Sequence, residues 1–247
     1  MKLRSAVDTH DCSTCPVRER AVCARCDDVE LARLNKIKFY KTYRAGQSIA
    51  LRGDALDVVA SVVTGTATLE RVIEDGRTQM VGLLLPSDFI GRPGRETLQY
   101  DVTAVSDVTL CCFMRKPFET LLLEVPHVQE RLLQMALDEL DAARDWMLLL
   151  GRKTAREKIA SLLMLIAKRT INIDGEAMGD TPCIELPISR ETMSNFLGLT
   201  IETVSRQFTG LRKDGVIELD GNRLVRIPDL ERLLSESGDD TDGGMLF

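Results

Sequence analysis

Residues 186–227 decide the fold of the carboxyl-terminal part of the chain; they read LPISRETMSNFLGLTIETVSRQFTGLRKDGVIELDGNRLVRI. Ser189 is suited to cap a short helix, Gly198 permits a tight turn, and Thr200 is suited to cap a second helix over about 201–213. After Gly215, VIELDGNRLVRI predicts a hairpin with Asp-Gly as a two-residue turn. A helix, a tight turn, a second helix and a small ribbon are typical of a winged helix-turn-helix.

The second helix separates an apolar face from a polar one. The face expected inside carries Ile201, Val204, Phe208 and Leu211, and the exposed face carries Glu202, Ser205, Arg206 and Thr209. A recognition helix enters the DNA major groove, where Arg206 can donate two bonds to guanine and Glu202 can accept one from cytosine. The two residues lie four apart, so each can hold the other in place, and an ordinary surface ion pair is the alternative. The expected phosphate contacts are Thr200, Thr209, Arg212, Lys213 and Arg223.

Composition limits the class of protein. The chain has 247 residues, a net charge of −6 and two histidines. The first residues lack the apolar segment of a secretory signal, and no apolar run approaches the ~20 residues that span a bilayer. We therefore expect a cytoplasmic protein with no membrane partner. No nucleophile motif and no phosphate loop is present, so we do not expect an enzyme.

The middle of the chain changes pattern twice. From residue 38 to about 114, short segments rich in Val, Leu, Ile and Thr alternate with turn signals, which predicts an antiparallel roll or barrel. Pro126 then opens a long helical stretch with a heptad seam. The seam residues are Leu133, Ala136, Leu140, Ala143, Met147 and Leu150. A dimerisation helix is the favoured interpretation, and a core helix lying on the roll is the alternative. The two alanines would make a dimer seam weak.

Four of the seven cysteines lie between residues 12 and 26, spaced C-x2-C-x7-C-x2-C. Thiols stay reduced in the cytoplasm, so clustered cysteines are expected to bind metal. This spacing suits a zinc site about as well as an iron–sulfur cluster. Cys111 and Cys112 are neighbours in a predicted strand and must face opposite ways. Cys183 is expected to be a half-buried structural cysteine.

The order of roll, long helix and winged helix resembles the Crp/Fnr superfamily of transcription regulators, over about residues 29–230. The stretch ETVSR at 202–206 is similar to that of the Fnr branch, and RDWMLLLGRKTAREKIASLL resembles the end of its dimer helix and hinge. The resemblance implies that Glu202, Ser205 and Arg206 read a palindrome like TTGAT-N4-ATCAA. It also implies a homodimer that activates or represses transcription, with RNA polymerase as a partner.

The same resemblance bears on the cysteines. Fnr proteins bind a [4Fe-4S] cluster with three amino-terminal thiolates and one distant thiolate, whose place falls on Cys111. The implied ligands are Cys12, Cys15, Cys23 and Cys111, with Cys26 as the alternative to Cys23; the x7 gap is similar to that of alpha-proteobacterial relatives. Oxygen would break down the cluster and separate the dimer. Zinc, or no metal, is the alternative for the same fold.

Cyclic-nucleotide binding, which some superfamily members use, is not favoured. The family's glutamate position is taken by Arg92 and its arginine-serine pair by Leu98-Gln99, although Arg95 could meet an anion. A small-molecule-responsive regulator is nevertheless an alternative. The two histidines, His10 and His127, lie in no recognisable haem motif.

These interpretations predict an α+β protein in five parts. They are a cysteine-rich segment (1–28), a β-roll sensor domain (29–124), a dimerisation helix (125–151), a winged helix-turn-helix domain (152–230) and an acidic disordered tail (231–247).

Overall fold

The computed structural model describes residues 12–75, 78–174 and 183–239. The chain divides into two compact units, Met1–Ala136 and Leu137–Phe247. The first unit contains α1 (Asp28–Ile37), β1 (Lys38–Tyr43), β2 (Ser48–Ala50), β3 (Val58–Thr64), β4 (Ala67–Val72), β5 (Thr78–Leu84), β6 (Phe89–Ile90), β7 (Asp101–Ala104), β8 (Val108–Met114) and α2 (Arg115–Glu124). The boundary between the units falls within α3 (Pro126–Arg152), which ends one residue beyond Gly151.

The roll consists of two four-stranded sheets, as its short β-branched segments predict. One sheet has the order β1-β8-β3-β6 and the other β2-β7-β4-β5. All of these pairings are antiparallel, which confirms the predicted roll. A core that includes Val62, Ala67, Val102 and Leu110 joins strands of both sheets.

The β1-β8-β3-β6 sheet has a second apolar face. Val59 and Phe113 from this sheet pack with Leu34 of α1, Phe118 of α2 and Val128 of α3. A capping box starts α1, since the Asp27 side chain accepts a hydrogen bond from the Glu30 N–H and the Glu30 side chain accepts one from the Asp27 N–H. The residues that precede α1 cover the same face of the sheet.

The second unit contains the rest of α3 and α4 (Ala155–Asp174), β9 (Cys183–Glu185), α5 (Arg190–Leu197), α6 (Ile201–Lys213), β10 (Glu218–Asp220), β11 (Leu224–Arg226) and α7 (Leu230–Ser237). Ser189 and Thr200 cap α5 and α6 as predicted, and Gly198 has the left-handed conformation. The strand order is β10-β11-β9, which completes a winged helix-turn-helix.

Three expectations for this unit are wrong. Residues 231–239 are not a disordered tail: Asp229 caps α7, and Leu233 and Ser237 of α7 are buried. The wing hairpin has a three-residue loop, because Asp220 pairs with Leu224. Ile201 is 45% exposed because it occupies the first turn of α6, ahead of the part that packs.

The prediction missed α7 because of the acidic composition of this part of the chain. The apolar spacing of residues 230, 233 and 234 behind an aspartate cap is a helix signal, but the surrounding Ser, Asp and Glu residues resemble a solvated tail. Lys153 and Asp239 form a buried ion pair at the end of this helix. The rest of the predicted tail, residues 240–247, lies outside the described residues.

No helix in the described part of the chain is both long enough and apolar enough to span a bilayer.

Candidate metal centre and nucleic-acid interface

Arg18 organises the cysteine segment, which we define as residues 12–27. This segment is a succession of turns, and its backbone carbonyls need donors because it forms no helix or strand. The Arg18 guanidinium donates to the carbonyl oxygens of Cys23 at 2.7 Å, Ala24 at 2.9 Å and Cys26 at 2.7 Å. Val17 and Ala21 are buried against Val63 of β3. One side chain thus closes the loop while two small apolar ones attach it to the roll.

Four cysteines line a single cavity between the segment and the sheet. Cys12, Cys15 and Cys23 come from the segment, and Cys111 comes from β8. Apolar side chains of both elements form most of the remaining wall, together with Lys38, Tyr40 and Ser61. The four residues are the ones that the resemblance implies as ligands, and the structure brings them together.

Strand register explains the position of Cys111. Cys111 lies opposite Tyr40 of β1 on one side and opposite Ser61 of β3 on the other. Directly opposed residues of antiparallel strands share a face of the sheet, so the three side chains form a row that faces the cysteine segment. Cys112 points the other way and is 1% exposed in the core between the sheets. The predicted division of the two cysteines is confirmed.

Burial affects the chemistry of these thiols. Desolvation raises the pKa of Cys23 to about 11, although the Arg18 charge opposes the shift. Desolvation also raises the pKa of Cys15 and of Cys111, and for Cys111 the nearby Cys23 adds to the shift. Neutral buried thiols are poor nucleophiles, and a metal must displace their protons before it can bind.

Cys26 differs from the other three segment cysteines because it does not line the cavity. It is buried among Leu34, Phe113, Phe118 and Val22, and this burial raises its pKa to about 12. The structure therefore groups Cys23, rather than Cys26, with Cys12, Cys15 and Cys111. All seven cysteines are free, and Cys183 is partly buried on β9.

The donor set at the cavity is made of sulfur alone. Four thiols with no carboxylate or imidazole fit an iron–sulfur cluster held by four cysteines, and they also fit a structural zinc ion. The chemistry of the four thiols suits these groups, but in the described residues they line a cavity without forming a ready-made ion site, since no group of three or more His, Cys, Asp or Glu side chains is arranged to hold a metal ion. His127 does not line the cavity, and its Nδ1 lies 2.9 Å from the Glu30 carboxylate, while His10 lies outside the described residues.

The cysteine segment contacts the beginning of α3. Arg131 donates to the Arg20 carbonyl oxygen at 2.6 Å, and Arg25 donates to the Gln134 side chain at 3.0 Å. Val22 packs in the same apolar cluster as Val128 of α3. The part of α3 that belongs to the first unit therefore packs against a segment that holds three of the four cavity cysteines.

The predicted seam of α3 is exposed in the described chain. Leu133 is 61% exposed, Leu140 and Met147 are also exposed, and so are Ala136 and Ala143, while Leu150 is half-buried. Leu137 and Leu148, which the heptad pattern did not include, are exposed as well. An exposed apolar stripe of this length on one helix is typical of an interaction surface.

The predicted DNA-reading residues share the exposed face of α6. Glu202, Ser205, Arg206 and Thr209 are exposed, while Val204, Phe208 and Leu211 are buried. In the described residues Glu202 and Arg206 form no ion pair with each other, and their mutual support stays a prediction. Bonds from the Glu202 N–H and the Thr200 hydroxyl hold the pKa of the Glu202 carboxyl below its usual range. A carboxylate in the first turn of a helix is also stabilised by the positive end of the helix dipole.

The remaining candidate phosphate contacts surround this face. Arg212 and Lys213 are exposed in the last turn of α6, and Arg223 is exposed in the wing loop. Thr209 donates its hydroxyl to the Ser205 carbonyl oxygen at 3.0 Å. The positions are those of cationic side chains on either side of a recognition helix.

Packing within the second unit fixes the orientation of α6. The Arg190 guanidinium of α5 lies 3.1 Å from the centroid of the Phe208 ring. The rings of Trp146 and Phe196 stack with centroids 4.0 Å apart, so α3 supports α5. Sequence reasoning did not identify either contact, since both join residues far apart in the chain.

The loop that replaces the nucleotide-binding pattern is held by α2. The Glu119 carboxylate accepts from the Gly94 N–H at 2.8 Å and from Arg115 at 2.9 Å. Arg92 and Gln99 are exposed in or beside this loop, and Arg95 and Leu98 are half-buried there.

Sequence reasoning missed three polar residues that line the cysteine cavity and one arginine that holds the cysteine segment together. Arg18 resembled an ordinary charged residue, and Lys38, Tyr40 and Ser61 resembled ordinary strand positions. The period of two in the strands offered one signal, since Lys38 and Tyr40 share a face, but the partner strands were not identifiable from one sequence.

Comparison with known proteins agrees with this architecture. A Crp-like helix-turn-helix domain model matches residues 157–236, and a cyclic nucleotide-binding domain model matches residues 40–124. The chain is 61% identical to transcriptional activator protein FnrL of Cereibacter sphaeroides, over 96% of this chain and 95% of that protein. It is 36% identical to nitrogen fixation regulation protein FixK of Bradyrhizobium diazoefficiens, over 85% and 87%. The solved structure of FixK2 from Bradyrhizobium japonicum aligns with a TM-score of 0.74 and 29% identity, over 83% of this chain and 100% of that one. The chain belongs to the Crp/Fnr family of transcription regulators.

Proposed function

We propose that the protein is an oxygen-responsive transcription regulator that binds a [4Fe-4S] cluster and, as a homodimer under low oxygen, a palindromic operator. The observation that carries the proposal is the cavity lined by Cys12, Cys15, Cys23 and Cys111. The similarity to a protein named as the transcriptional activator FnrL supports it. Activation of anaerobic or microaerobic genes is the expected output, and RNA polymerase is the expected partner.

When bound, the cluster would supply iron–thiolate bonds that oxygen breaks. The residues of the chain would hold the cysteines in position for the cluster. Arg18 keeps the segment folded around its cysteines, and Val17 and Ala21 anchor it to β3. Burial keeps the free thiols protonated and neutral. Without a cluster, therefore, no metal–thiolate bonds would connect Cys111 to the three segment cysteines.

The segment would transmit its state to α3 through backbone and side-chain contacts. Arg131 binds a carbonyl oxygen of the segment, and this arginine lies two residues before Leu133, the first seam residue. Loosening of the segment would release the first turns of α3 and with them the apolar stripe. A stripe that contains two alanines buries little area, so dimerisation would respond to a modest change.

A dimer would place two copies of α6 at half-sites one helical turn apart, ~34 Å along B-DNA. Arg206 would donate to guanine, and Glu202 and Ser205 would contact neighbouring bases of a site like TTGAT-N4-ATCAA. Thr200, Thr209, Arg212, Lys213 and Arg223 would hold the phosphates.

The test is iron and sulfide analysis of full-length protein purified without oxygen, with its visible absorption recorded before and after exposure to air. We expect about four irons per chain, thiolate-to-iron charge-transfer absorption, and bleaching in air with loss of dimer and of operator binding. Protein that contains stoichiometric zinc and no iron would contradict the proposal. So would iron-free protein that dimerises and binds the operator at full strength.

Cys23→Ala and Cys26→Ala form a matched pair, since both residues lie in the segment but only Cys23 lines the cavity. We expect Cys23→Ala to lose the cluster and Cys26→Ala to retain it. The reverse result would show that Cys26 is the third ligand.

A further inference from the structure

The hydroxyl of Ser61 is a buried polar group that could form a hydrogen bond but does not form one in the part of the chain that the structure describes. Ser61 lies in β3, in the strand segment VVASVVT, and is 2% exposed. Its Oγ finds no hydrogen-bond partner in the described residues. A buried hydroxyl without a partner costs free energy in a folded protein, so its presence among valines calls for an explanation.

The position of Ser61 supplies that explanation. Ser61 lines the cavity of the four cysteines and lies directly opposite Cys111 in the sheet. Directly opposed residues on one face have Cβ atoms about 4.5–5.5 Å apart, so the hydroxyl and the thiol point into the same space. A hydroxyl proton rotates freely and can be directed at any acceptor that enters this space.

The other polar groups on this face already have partners. Lys38 Nζ donates to Cys12 Sγ at 3.1 Å and lies 3.4 Å from the Tyr40 hydroxyl oxygen. Tyr40 in turn is hydrogen-bonded to Cys111. Cys111 is therefore flanked by a hydroxyl that is engaged, on β1, and one that is not, on β3.

We propose that Ser61 donates a hydrogen bond to the cluster sulfur atoms at Cys111 and thereby sets the reduction potential of the cluster. The inference depends on the proposed function, since it needs the cluster as acceptor. Hydrogen bonds to cluster sulfurs stabilise the additional negative charge of the reduced state, which raises the potential. Ser61 acts through Cys111 and the cluster, and it is a positioning residue rather than a ligand.

The main experiment uses full-length protein reconstituted without oxygen, in H2O and in D2O. Wild type, Ser61→Ala and Ser61→Thr are compared by resonance Raman spectroscopy of the iron–thiolate bands and by voltammetry. Ser61→Ala should lose a deuterium-sensitive component and shift the potential to a more negative value, while Ser61→Thr, which keeps the hydroxyl, should retain both properties. Ser106→Ala is the control, since Ser106 lies in the same unit but does not line the cavity.

The outcomes separate the inference from the proposed function. If wild-type protein takes up no iron, both are wrong. If it takes up iron and Ser61→Ala has the wild-type spectrum and potential, the inference alone is wrong.

Thermal melting of the cluster-free protein gives a second test. Removal of a hydroxyl that has no partner should leave the melting temperature of cluster-free Ser61→Ala equal to or above that of wild type. With the cluster bound, the variant should gain less melting temperature than wild type does. A cluster-free variant that melts several degrees lower, or fails to fold, would show that the hydroxyl already serves the protein itself and would refute the inference.

Discussion

Substitution of Arg18 by alanine should loosen the cysteine segment without unfolding the roll. Arg18 makes three hydrogen bonds to carbonyl oxygens of residues 23, 24 and 26, all between 2.7 and 2.9 Å. The roll has its own core between the two sheets, in which Arg18 takes no part.

The free energy that the closed segment loses in Arg18→Ala can be worked out from these three hydrogen bonds. A hydrogen bond to a charged group contributes about 1.5–3 kcal/mol. The site is partly buried, so water replaces some of the lost donors, and a net loss of about 3 kcal/mol is reasonable for the three bonds together. Since 1.4 kcal/mol corresponds to a factor of ten, the opening equilibrium of the segment should rise about 100-fold.

Native-state hydrogen exchange of the cluster-free protein measures this opening directly. The N–H of Ala21 bonds to the Val17 carbonyl oxygen, and the N–H of Ala24 bonds to the Ala21 carbonyl oxygen, so these two amides report on the segment. Their protection should fall about 100-fold in Arg18→Ala. Arg25→Ala is the matched control, because Arg25 lies in the same segment but binds Gln134 rather than the segment backbone. Unchanged exchange in Arg18→Ala would refute the assignment of Arg18 as the residue that closes the loop.

Four further substitutions test other parts of the structure. Gly65→Ala should destabilise the roll by more than about 3 kcal/mol in urea unfolding, because Gly65 has φ +81° and a Cβ would lie 2.0 Å from the Asp107 carbonyl oxygen; a loss below about 1 kcal/mol would contradict this. Leu140→Glu should weaken dimerisation at least about tenfold in sedimentation equilibrium, since a charge would enter the apolar stripe; an unchanged association constant would exclude Leu140 from the interface. Arg206→Ala should lose about 1–3 kcal/mol of operator binding and relax base preference, while Lys213→Ala should weaken all sequences alike and lower the salt dependence. Equal effects of the two variants on base preference would contradict their assignment to bases and phosphates.

The DNA-reading part of the fold was predictable because its signals are local. Ser189 and Thr200 lie next to the helices that they cap, and Gly198 lies between those helices, so a single stretch of sequence contains the motif. The signals of α7 are local as well, but this helix was missed. Its cap and apolar residues were present, but the acidic composition around them was given more weight than their spacing.

The cysteine cavity was predictable only in part because its walls come from distant parts of the chain. Cysteine is conspicuous in any sequence, and strand alternation separates Cys111 from Cys112. Ser61 and Tyr40 join the site through strand pairing across about fifty and seventy residues of chain, and pairing of this kind has no local signal. Arg18 was missed for another reason, since its partners are backbone carbonyls, which look alike in every sequence.

The contacts between the cysteine segment and the first turns of α3 are similar in energy to what a two-state switch requires. To move a two-state equilibrium from 1:99 to 99:1 takes about 5.5 kcal/mol of differential interaction. The segment reaches α3 through hydrogen bonds from Arg131 and Arg25 and through the packing of Val22. Bonds of this kind contribute about 1–3 kcal/mol each, and a buried valine about 1.5–3 kcal/mol, so the contacts together supply the required few kcal/mol. With leucine in place of both alanines, the free energy of dimerisation would be larger than these contacts can offset. Each Ala replaced by Leu would add a buried side chain to the interface. If the proposed function is correct, the alanines at 136 and 143 would keep dimerisation within the range that the cysteine segment can control.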